Sequence, residues 1–266
     1  RNRDLKMQRL YTLSRGGEMG EGGGRGMAKP EISAFRPTRS LSLYYEQSLK
    51  KIARNIGDIT NAMGSAPQTD PQPLIDVLTR YANTLEPWAE SIAQRMVADA
   101  ERSNSRRWKA YAATMGRELR HEIENTDTGK AMQDLMNYQV TLIKSLPLEA
   151  AKRVQRIASE SLITGARFDE LRDELMKTGE VTKSRATLIA RTETSRASAI
   201  LTQVRAQAIG SEEYIWRSHK DARTRPSHRA CNGKVFRWDS PPTLDNLTGG
   251  PGETPNCRCF AVPIIP

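Results

Sequence analysis

The stretch TKSRATLIARTETSRASAILTQVRAQAIGSEEYIW, residues 182–216, contains the change of periodicity that decides the fold. Its first part is a long helix candidate over 182–209, and Gly210 follows it where helices commonly end. After the glycine, Tyr-Ile-Trp at residues 214–216 is typical of a short strand. We therefore predict a long helix that leads directly into a small α+β end piece over residues 211–266, called the C-terminal module below.

The residues before this stretch predict further helices. Between about residues 40 and 165, apolar side chains recur at three- and four-residue steps, as they do in amphipathic helices. Pro87 is expected to kink or divide one helix, Pro147 to open another at its first turn, and Gly179 to cap a short helix. The predicted fold class is mainly α, with a helical N-terminal body followed by the small α+β C-terminal module.

Two more strands are predicted within the C-terminal module. Val-Phe at residues 235–236 follows an Asn-Gly turn signal at 232–233, and Phe-Ala-Val at 260–262 precedes Pro263, which is expected to end that strand.

The first 26 residues differ from the rest of the chain. They are rich in glycine and poor in apolar side chains, so we predict that they are disordered. Glu-Gly-Gly at residues 21–23 would be encoded by a purine run shortly before the codon of Met27, where a bacterial ribosome-binding site should lie. We expect translation to start at Met27 and residues 1–26 to be an untranslated upstream segment; the alternative is a flexible basic tail.

The charge balance is basic, with 41 Lys and Arg against 31 Asp and Glu, a formal net charge of +10. This favours contact with nucleic acid, although an acidic partner protein would serve equally well. Aromatic residues Trp216, Phe236 and Trp238 lie among the basic ones, either as stacking groups or as the module's own core. The predicted contacts to nucleic acid or to an acidic protein surface are Arg217, Lys220, Arg223, Arg225 and Arg229.

No apolar run approaches the roughly 20 residues that cross a bilayer, and no apolar stretch follows the basic start as in a signal peptide. We therefore expect no membrane partner.

Four residues of the module could hold a metal ion. His228 and Cys231 stand three residues apart, and Cys257 and Cys259 stand two apart. One His and three Cys suit tetrahedral zinc. The alternative is that the histidine is a hydrogen-bonded structural residue and the cysteines are buried thiols, which hold the last strand against the loop at 221–228 with or without zinc.

Catalysis is not expected. The chain has three histidines, so general bases near neutral pH are scarce, and no phosphate-binding glycine loop follows a strand. His228, Cys231 and Asp221 could suggest a thiol nucleophile with its base and orienting group, but no pattern marks an oxyanion site.

Several motifs follow one another in a specific order. They are Ile-Ala-Arg-Thr-Glu-Thr at 189–194, the Trp216 strand, Asp-x-Arg-Thr-Arg-x-x-His at 221–228, Asn-Gly-Lys-Val-Phe at 232–236 and Pro-Asn-Cys-Arg-Cys at 255–259. Over about residues 150–263 this order resembles the phage Mu F-like head morphogenesis family. The motif residues singled out as structural are Arg191, Glu193, Asp221, Arg223, Cys257, Arg258 and Cys259, and the Arg and Glu of the helix are expected to clamp the C-terminal module onto it.

The resemblance implies a division into a variable helical region, 27–147, and a Mu F-like domain, 148–266. It implies a minor capsid protein of a tailed bacteriophage, made in the host cytoplasm and placed in the virion head near the portal vertex. Such a protein acts in head assembly, DNA packaging or DNA delivery, with the portal protein, the major capsid or scaffolding protein and double-stranded phage DNA as expected partners. The alternative is a nucleic-acid-binding accessory protein that uses the basic module.

This sequence departs from some members of that family. They carry a Cys pair where it has Arg225 and His228, and a His where it has Thr254 or Glu253.

Overall fold

The structure, a computed structural model, describes residues 35–64, 70–113, 117–164, 168–219 and 221–266. Helices make up most of these residues. The predicted disordered segment 1–26, the proposed start at Met27 and Lys220 lie outside these residues. The helices before the first strand are α1 (Arg39–Gly64), α2 (Gln72–Thr84), α3 (Glu86–Ala112), α4 (Arg117–Glu124), α5 (Gly129–Thr164), α6 (Phe168–Met176) and α7 (Thr178–Ala208). The predicted fold class, mainly α with a small α+β module, is confirmed.

Helix α7 is the central element, because it packs against α1, α3 and α5 together. Four consecutive residues, 192–195, are all buried, so the helix is enclosed on every side in this part. Many of its buried side chains carry hydroxyls, and several of these donate to carbonyls of the same helix. Thr194 Oγ1 donates to the Ala190 carbonyl (2.8 Å) and Thr202 Oγ1 to the Ser198 carbonyl (2.7 Å). Buried polar groups are thus satisfied without large side chains.

Gly179 does not cap α6 as predicted. It lies in the first turn of α7, and a Cβ atom built on it would stand 2.8 Å from the Gly57 Cα atom of α1. Side-chain atoms do not fit at that separation, so the two helix backbones touch here. The glycine is required by the approach of α1 and not by a turn.

Gly210 does end the long helix as predicted. Its φ angle is +78°, its N–H donates to the Gln207 carbonyl (3.0 Å), and the Ser211 N–H donates to the Ala206 carbonyl (2.9 Å). This is the Schellman arrangement, which satisfies the last carbonyls of a helix.

The two prolines behave differently. Pro87 divides two helices as predicted, since α2 ends at Thr84 and α3 begins at Glu86. Pro147 does not open a helix, because it lies inside α5. The side chains of Ile143, Leu146 and Ala150 around it are all buried in the helical core, and this continuous packing outweighs the lost backbone hydrogen bond. The domain boundary drawn after residue 147 therefore falls within a helix.

The C-terminal module contains an antiparallel sheet in the order β2-β1-β5 and a separate two-stranded hairpin, β3-β4. Its elements are β1 (Glu213–Arg217), α8 (Pro226–Ala230), β2 (Val235–Arg237), β3 (Thr243–Leu244), β4 (Leu247–Thr248) and β5 (Phe260–Ile264). The hairpin was missed by the sequence analysis. Its turn residues Asp245 and Asn246 both have positive φ angles, the geometry that these residue types tolerate in tight hairpins.

Pro263 lies within β5 and does not end it, contrary to prediction. It pairs with Tyr214 of β1, and its carbonyl accepts a hydrogen bond from the Tyr111 hydroxyl of α3 (3.3 Å). The Pro263 carbonyl therefore points away from β1. The N–H and C=O of one strand residue point to the same side, so the N–H that proline lacks would also point away from β1, and the sheet loses no hydrogen bond.

The module shares its core with the helical body. Buried Phe35 and Trp108, from the N-terminal segment and α3, belong to one apolar cluster with Trp216 of β1 and with two of the cysteines near β5. The body and the module are therefore packed as one structure, and residues 32–266 form a single compact unit. Within the part of the chain that is described, no helix is long and apolar enough to cross a membrane.

The contact between α1 and α7 gives a testable prediction. Gly179→Ala should lower the free energy of unfolding by about 1–3 kcal/mol, because its methyl group must push the helices apart. The matched control is Gly57→Ala at the same crossing, where the added Cβ atom would meet Gly179 Cα at an ordinary 3.5 Å. That variant should be neutral or up to about 1 kcal/mol more stable, since alanine favours helix. Urea unfolding followed by circular dichroism measures both, and equal effects would show that the backbones do not touch at this point.

Candidate functional site

His228, Cys257 and Cys259 form a buried cluster in the C-terminal module. His228 lies on α8, and the two cysteines lie on the segment that leads into β5. The Nδ1 atom of His228 is 3.4 Å from the Cys257 sulfur and 3.7 Å from the Cys259 sulfur, and all three ligand atoms lie within 4.8 Å of one another. In a tetrahedral zinc site the N and S ligand atoms are roughly 3.6 Å apart. The spacing and the donor types of this group therefore fit a metal ion.

The histidine ring is oriented from two sides. Trp216 packs against it edge to face, with ring centroids 5.4 Å apart, and its Nε2 atom is 4.0 Å from the Asp245 carboxylate. Asp245 also accepts a hydrogen bond from the Ser227 hydroxyl (2.8 Å). A carboxylate near the second ring nitrogen is the usual support of a metal-bound histidine.

The two thiols have opposite pKa shifts. The pKa of Cys257 is lowered because the Cys259 thiol donates to its sulfur, with a further hydrogen bond from the Gly252 N–H. The pKa of Cys259 is raised because its hydrogen is held by Cys257 and because it is buried. The pair therefore shares one hydrogen, which suits either a thiol–thiolate pair or two ligands of one cation.

Cys231 lies outside this cluster, which corrects the four-residue metal set. Helix α8 ends at Ala230, and the chain turns there, with the Lys234 N–H donating to the Cys231 carbonyl (3.0 Å). The Cys231 side chain is buried in the module core instead, in the same apolar cluster as Tyr214. Burial raises the pKa of Cys231.

A second contact ties the same two segments together. Arg258, between the two cysteines, donates two hydrogen bonds of 2.6 Å to the carboxylate of Asp221. The Thr224 hydroxyl donates to the same carboxylate (3.0 Å). These bonds hold the pKa of Asp221 well below its usual range, with the Arg258 bonds as the main cause. The structure thus brings together Asp221, His228, Cys257, Arg258 and Cys259.

The helix motif at 189–194 contacts the module through its threonine. Thr192 Oγ1 accepts a hydrogen bond from the Asn256 N–H (3.0 Å). Glu193 faces the helical body, where it accepts from the Gln139 amide of α5 (3.0 Å), and Arg191 is exposed. The expectation that Arg191 and Glu193 clamp the module is therefore wrong, because the helical twist turns these two side chains away from it.

The part of the chain that carries this site matches a known family. Residues 152–262 match the family model described as Phage Mu protein F like protein. This segment is Mu F-like. The resemblance inferred from the motif order is confirmed.

Two curated relatives extend the similarity. An uncharacterized protein of Haemophilus influenzae is 27% identical over 256 residues, which cover 89% of this chain and 57% of the relative. Minor head protein GP7 of Bacillus phage SPP1 is 24% identical over 171 residues, which cover 58% of this chain and 55% of that protein. The chain thus spans little more than half the length of either relative. No solved structure matches it.

The predicted basic contacts of the Mu F-like segment are used mostly within the chain. Arg225 donates to the Pro255 carbonyl (2.8 Å), and Arg229 donates to the carbonyls of Asp221 and Thr224 (3.3 and 3.4 Å). Arg223 is largely exposed, 3.8 Å from the Asp221 carboxylate, and Arg217 is half-buried. These arginines therefore brace the loop at 221–229, and Arg223 remains the most available for a partner.

The aromatic residues belong to the module's core. Trp216 and Trp238 are buried, and Trp238 packs on Tyr214 with ring centroids 4.4 Å apart. Of the two alternatives left by the sequence, the structure favours the core over a surface for stacking bases, because buried rings cannot reach a nucleic acid.

Sequence reasoning missed a buried polar seam between α3 and α7. Arg205 of α7 donates to the Asn104 side chain (2.5 Å) and to Glu101, both on α3, and Asn104 donates to the Thr202 hydroxyl (2.8 Å). The available signal was Arg205, which lies among the small side chains on the buried face of α7. A buried guanidinium requires hydrogen-bond partners from a neighbouring element.

The Asp221–Arg258 contact gives a pH-dependent prediction. Because the folded-state pKa of Asp221 is lowered from its usual 3.8, its contribution to stability is complete above that value and is lost as the pH falls below it. The difference in melting temperature between the parent and Asp221→Asn should therefore be largest near pH 6 and narrow toward about pH 3. Arg258→Gln should show the same narrowing. The double variant should melt close to either single one; losses that simply add would contradict the pairing.

Proposed function

We propose that this chain is a minor structural component of the head of a tailed bacteriophage, acting in head assembly at the portal vertex. The observation that carries the proposal is the match of residues 152–262 to the Mu F-like family, together with the similarity to a protein named minor head protein. These findings support a phage head protein. Its position at the portal and its roles in DNA packaging or delivery are the finer part of the proposal.

The architecture is compatible with a protein that binds other proteins through its surface. The Mu F-like segment begins within α5 and includes all of α7, which lies in the centre of the helical body. A module that shares its core with the helices presents a rigid surface to a partner. We propose the portal protein and the major capsid or scaffolding protein as those partners, the virion head as the place, and the host cytoplasm as the site of assembly.

We further propose that the protein is not an enzyme. The thiols of Cys231, Cys257 and Cys259 and the imidazole of His228 are all buried, and the imidazole packs against Trp216. A substrate cannot reach a thiol in such surroundings, whereas a structural cross-link needs them closed.

The proposed function is tested by co-purification. We expect the tagged full chain, coexpressed with the portal protein and the major capsid protein encoded beside it, to remain in head-sized particles after nuclease treatment and at raised salt. Sucrose-gradient sedimentation followed by mass spectrometry of the particle fraction gives the readout. If the chain leaves the particles and follows only the nucleic acid, and if salt releases it, the head assignment is wrong and the chain is a nucleic-acid-binding accessory.

We also propose that His228, Cys257 and Cys259 hold a zinc ion that joins α8 to the segment before β5. Two sulfurs and one imidazole nitrogen at near-tetrahedral spacing support it, as does the Asp245 carboxylate beside Nε2. When bound, zinc would supply a cross-link to a module with a small apolar core.

The zinc proposal separates Cys231 from the other two cysteines. The purified protein should contain about one zinc per chain by elemental mass spectrometry. Cys257→Ser and Cys259→Ser should lose the metal and destabilise the module while the helical circular dichroism signal stays unchanged. The control is Cys231→Ser, which should keep the zinc because Cys231 lies outside the cluster. A metal-free parent protein, or zinc lost equally from all three variants, would refute the assignment.

A further inference from the structure

Three arginines gather where the segment before α1 meets the end of α3. Arg36 lies on that segment, and Arg106 and Arg107 lie on α3. The segment is fixed in place, because the Phe35 ring packs on Trp108 (centroids 5.1 Å apart) and the Phe35 carbonyl accepts from the Ser198 hydroxyl (3.0 Å). The fold therefore holds Arg36 beside the turn of α3 that carries Arg106 and Arg107, where the charges of Arg36 and Arg106 act on Arg107.

Arg36 is positioned by the C-terminal module. Its Nη1 atom is 2.7 Å from Nδ1 of His219, and its guanidinium carbon lies 4.5 Å from the centre of the Phe260 ring. A guanidinium can only donate, so His219 accepts and is neutral in this arrangement. The pKa of His219 is lowered accordingly, by burial and then by Arg36. The neutral histidine therefore anchors the Arg36 guanidinium and fixes its direction.

Arg107 is left without compensation inside the described part of the chain. Its side chain is half-buried, and its Nη1 atom is shielded from solvent and has no hydrogen-bond partner there. Burial lowers the pKa of Arg107, and the charges of Arg106 and Arg36 lower it further, with no carboxylate acting in the other direction. A half-buried cation next to like charges is unfavourable in the free protein, and an anion that binds the accessible part of the Arg107 side chain relieves this.

We propose that Arg36, Arg106 and Arg107 form a binding site for a phosphate group of a nucleic-acid backbone. A carboxylate has two oxygens, which one guanidinium fork satisfies, as Arg258 does for Asp221 in this chain. Three neighbouring guanidiniums suit a group with more acceptor oxygens, and successive phosphates of a backbone supply these in series.

The inference rests on the proposed function only for the source of the phosphate, which in a phage head is double-stranded DNA. It also places the nucleic-acid contact at the junction of the helical body and the module. The arginines of the 221–229 loop, whose hydrogen bonds are mostly internal, are not needed for it.

The test compares Arg107→Gln with Arg102→Gln in the full chain. Arg102 is on the same helix, one turn before Arg106, is largely exposed and pairs with Asp99, so the control removes an arginine whose charge a carboxylate already compensates. We expect Arg107→Gln to weaken binding of a fluorescent DNA duplex by about threefold to tenfold and to reduce the slope of log affinity against log salt by about one. Arg102→Gln should change both much less.

A second measurement separates a binding site from a structural role. Inorganic phosphate should raise the melting temperature of the parent and of Arg102→Gln but not that of Arg107→Gln. Without phosphate, Arg107→Gln should melt at or above the parent temperature, because it removes an uncompensated charge. A lower melting temperature for this variant without phosphate would assign Arg107 a structural role and overturn the proposal.

The remaining outcomes are equally decisive. If Arg107→Gln abolishes the effect of phosphate but leaves DNA affinity unchanged, the site takes a free anion and the nucleic-acid assignment is wrong. If it weakens the binding of polyglutamate as much as that of DNA, the site does not select phosphate. Neither result would bear on the association with head particles, which the co-purification measures independently.

Discussion

The rest of the structure depends on one constraint, the enclosure of α7 by other helices along much of its length. A helix in that position can carry few long polar side chains on its enclosed faces, because its neighbours approach closely, and at Gly57 and Gly179 two backbones are in contact. The helix therefore uses Ala, Ser and Thr, whose hydroxyls bond within the helix itself. Its two buried long polar side chains find partners on adjacent helices, Glu193 with Gln139 and Arg205 with Asn104.

The same enclosure explains how the site is assembled. The loop at 221–228 and the segment at 255–259 are far apart in sequence and meet where that segment lies over the middle of α7. Three contacts of different chemistry hold them there: the Asn256 amide on Thr192, the Arg258 fork on Asp221, and the sulfurs around His228. Each contact uses a residue of the Mu F-like motifs. The motif residues therefore belong to one packed junction between α7, the loop at 221–228 and the segment at 255–259. The contact that each residue makes there determines which residue type is needed.

Much of this could be predicted from the sequence, because it depends on local pattern. The long helix, its end at Gly210 and the strand around Trp216 are set by side-chain periodicity and by a positive φ angle. The errors came from tertiary contacts. Gly179 resembles a cap but serves a helix crossing, Pro147 resembles a helix start but is held inside α5 by packing, and Cys231 resembles a ligand but lies one residue beyond the end of α8. The Arg36–Arg107 cluster combines residues about 70 positions apart, which no local pattern indicates.

The short connection between α7 and β1 has a mechanical consequence. Only four residues, 209–212, separate the helix from the strand, and the Schellman bonds at Gly210 fix two of them. With 31 residues at about 1.5 Å each, α7 is a strut of roughly 47 Å that has no hinge where it joins the sheet. A force applied to the sheet is therefore transmitted along the strut to the far end of the helical body. The load is then shared by the helices packed along α7, among them α1, whose backbone meets that of α7 at Gly57 and Gly179.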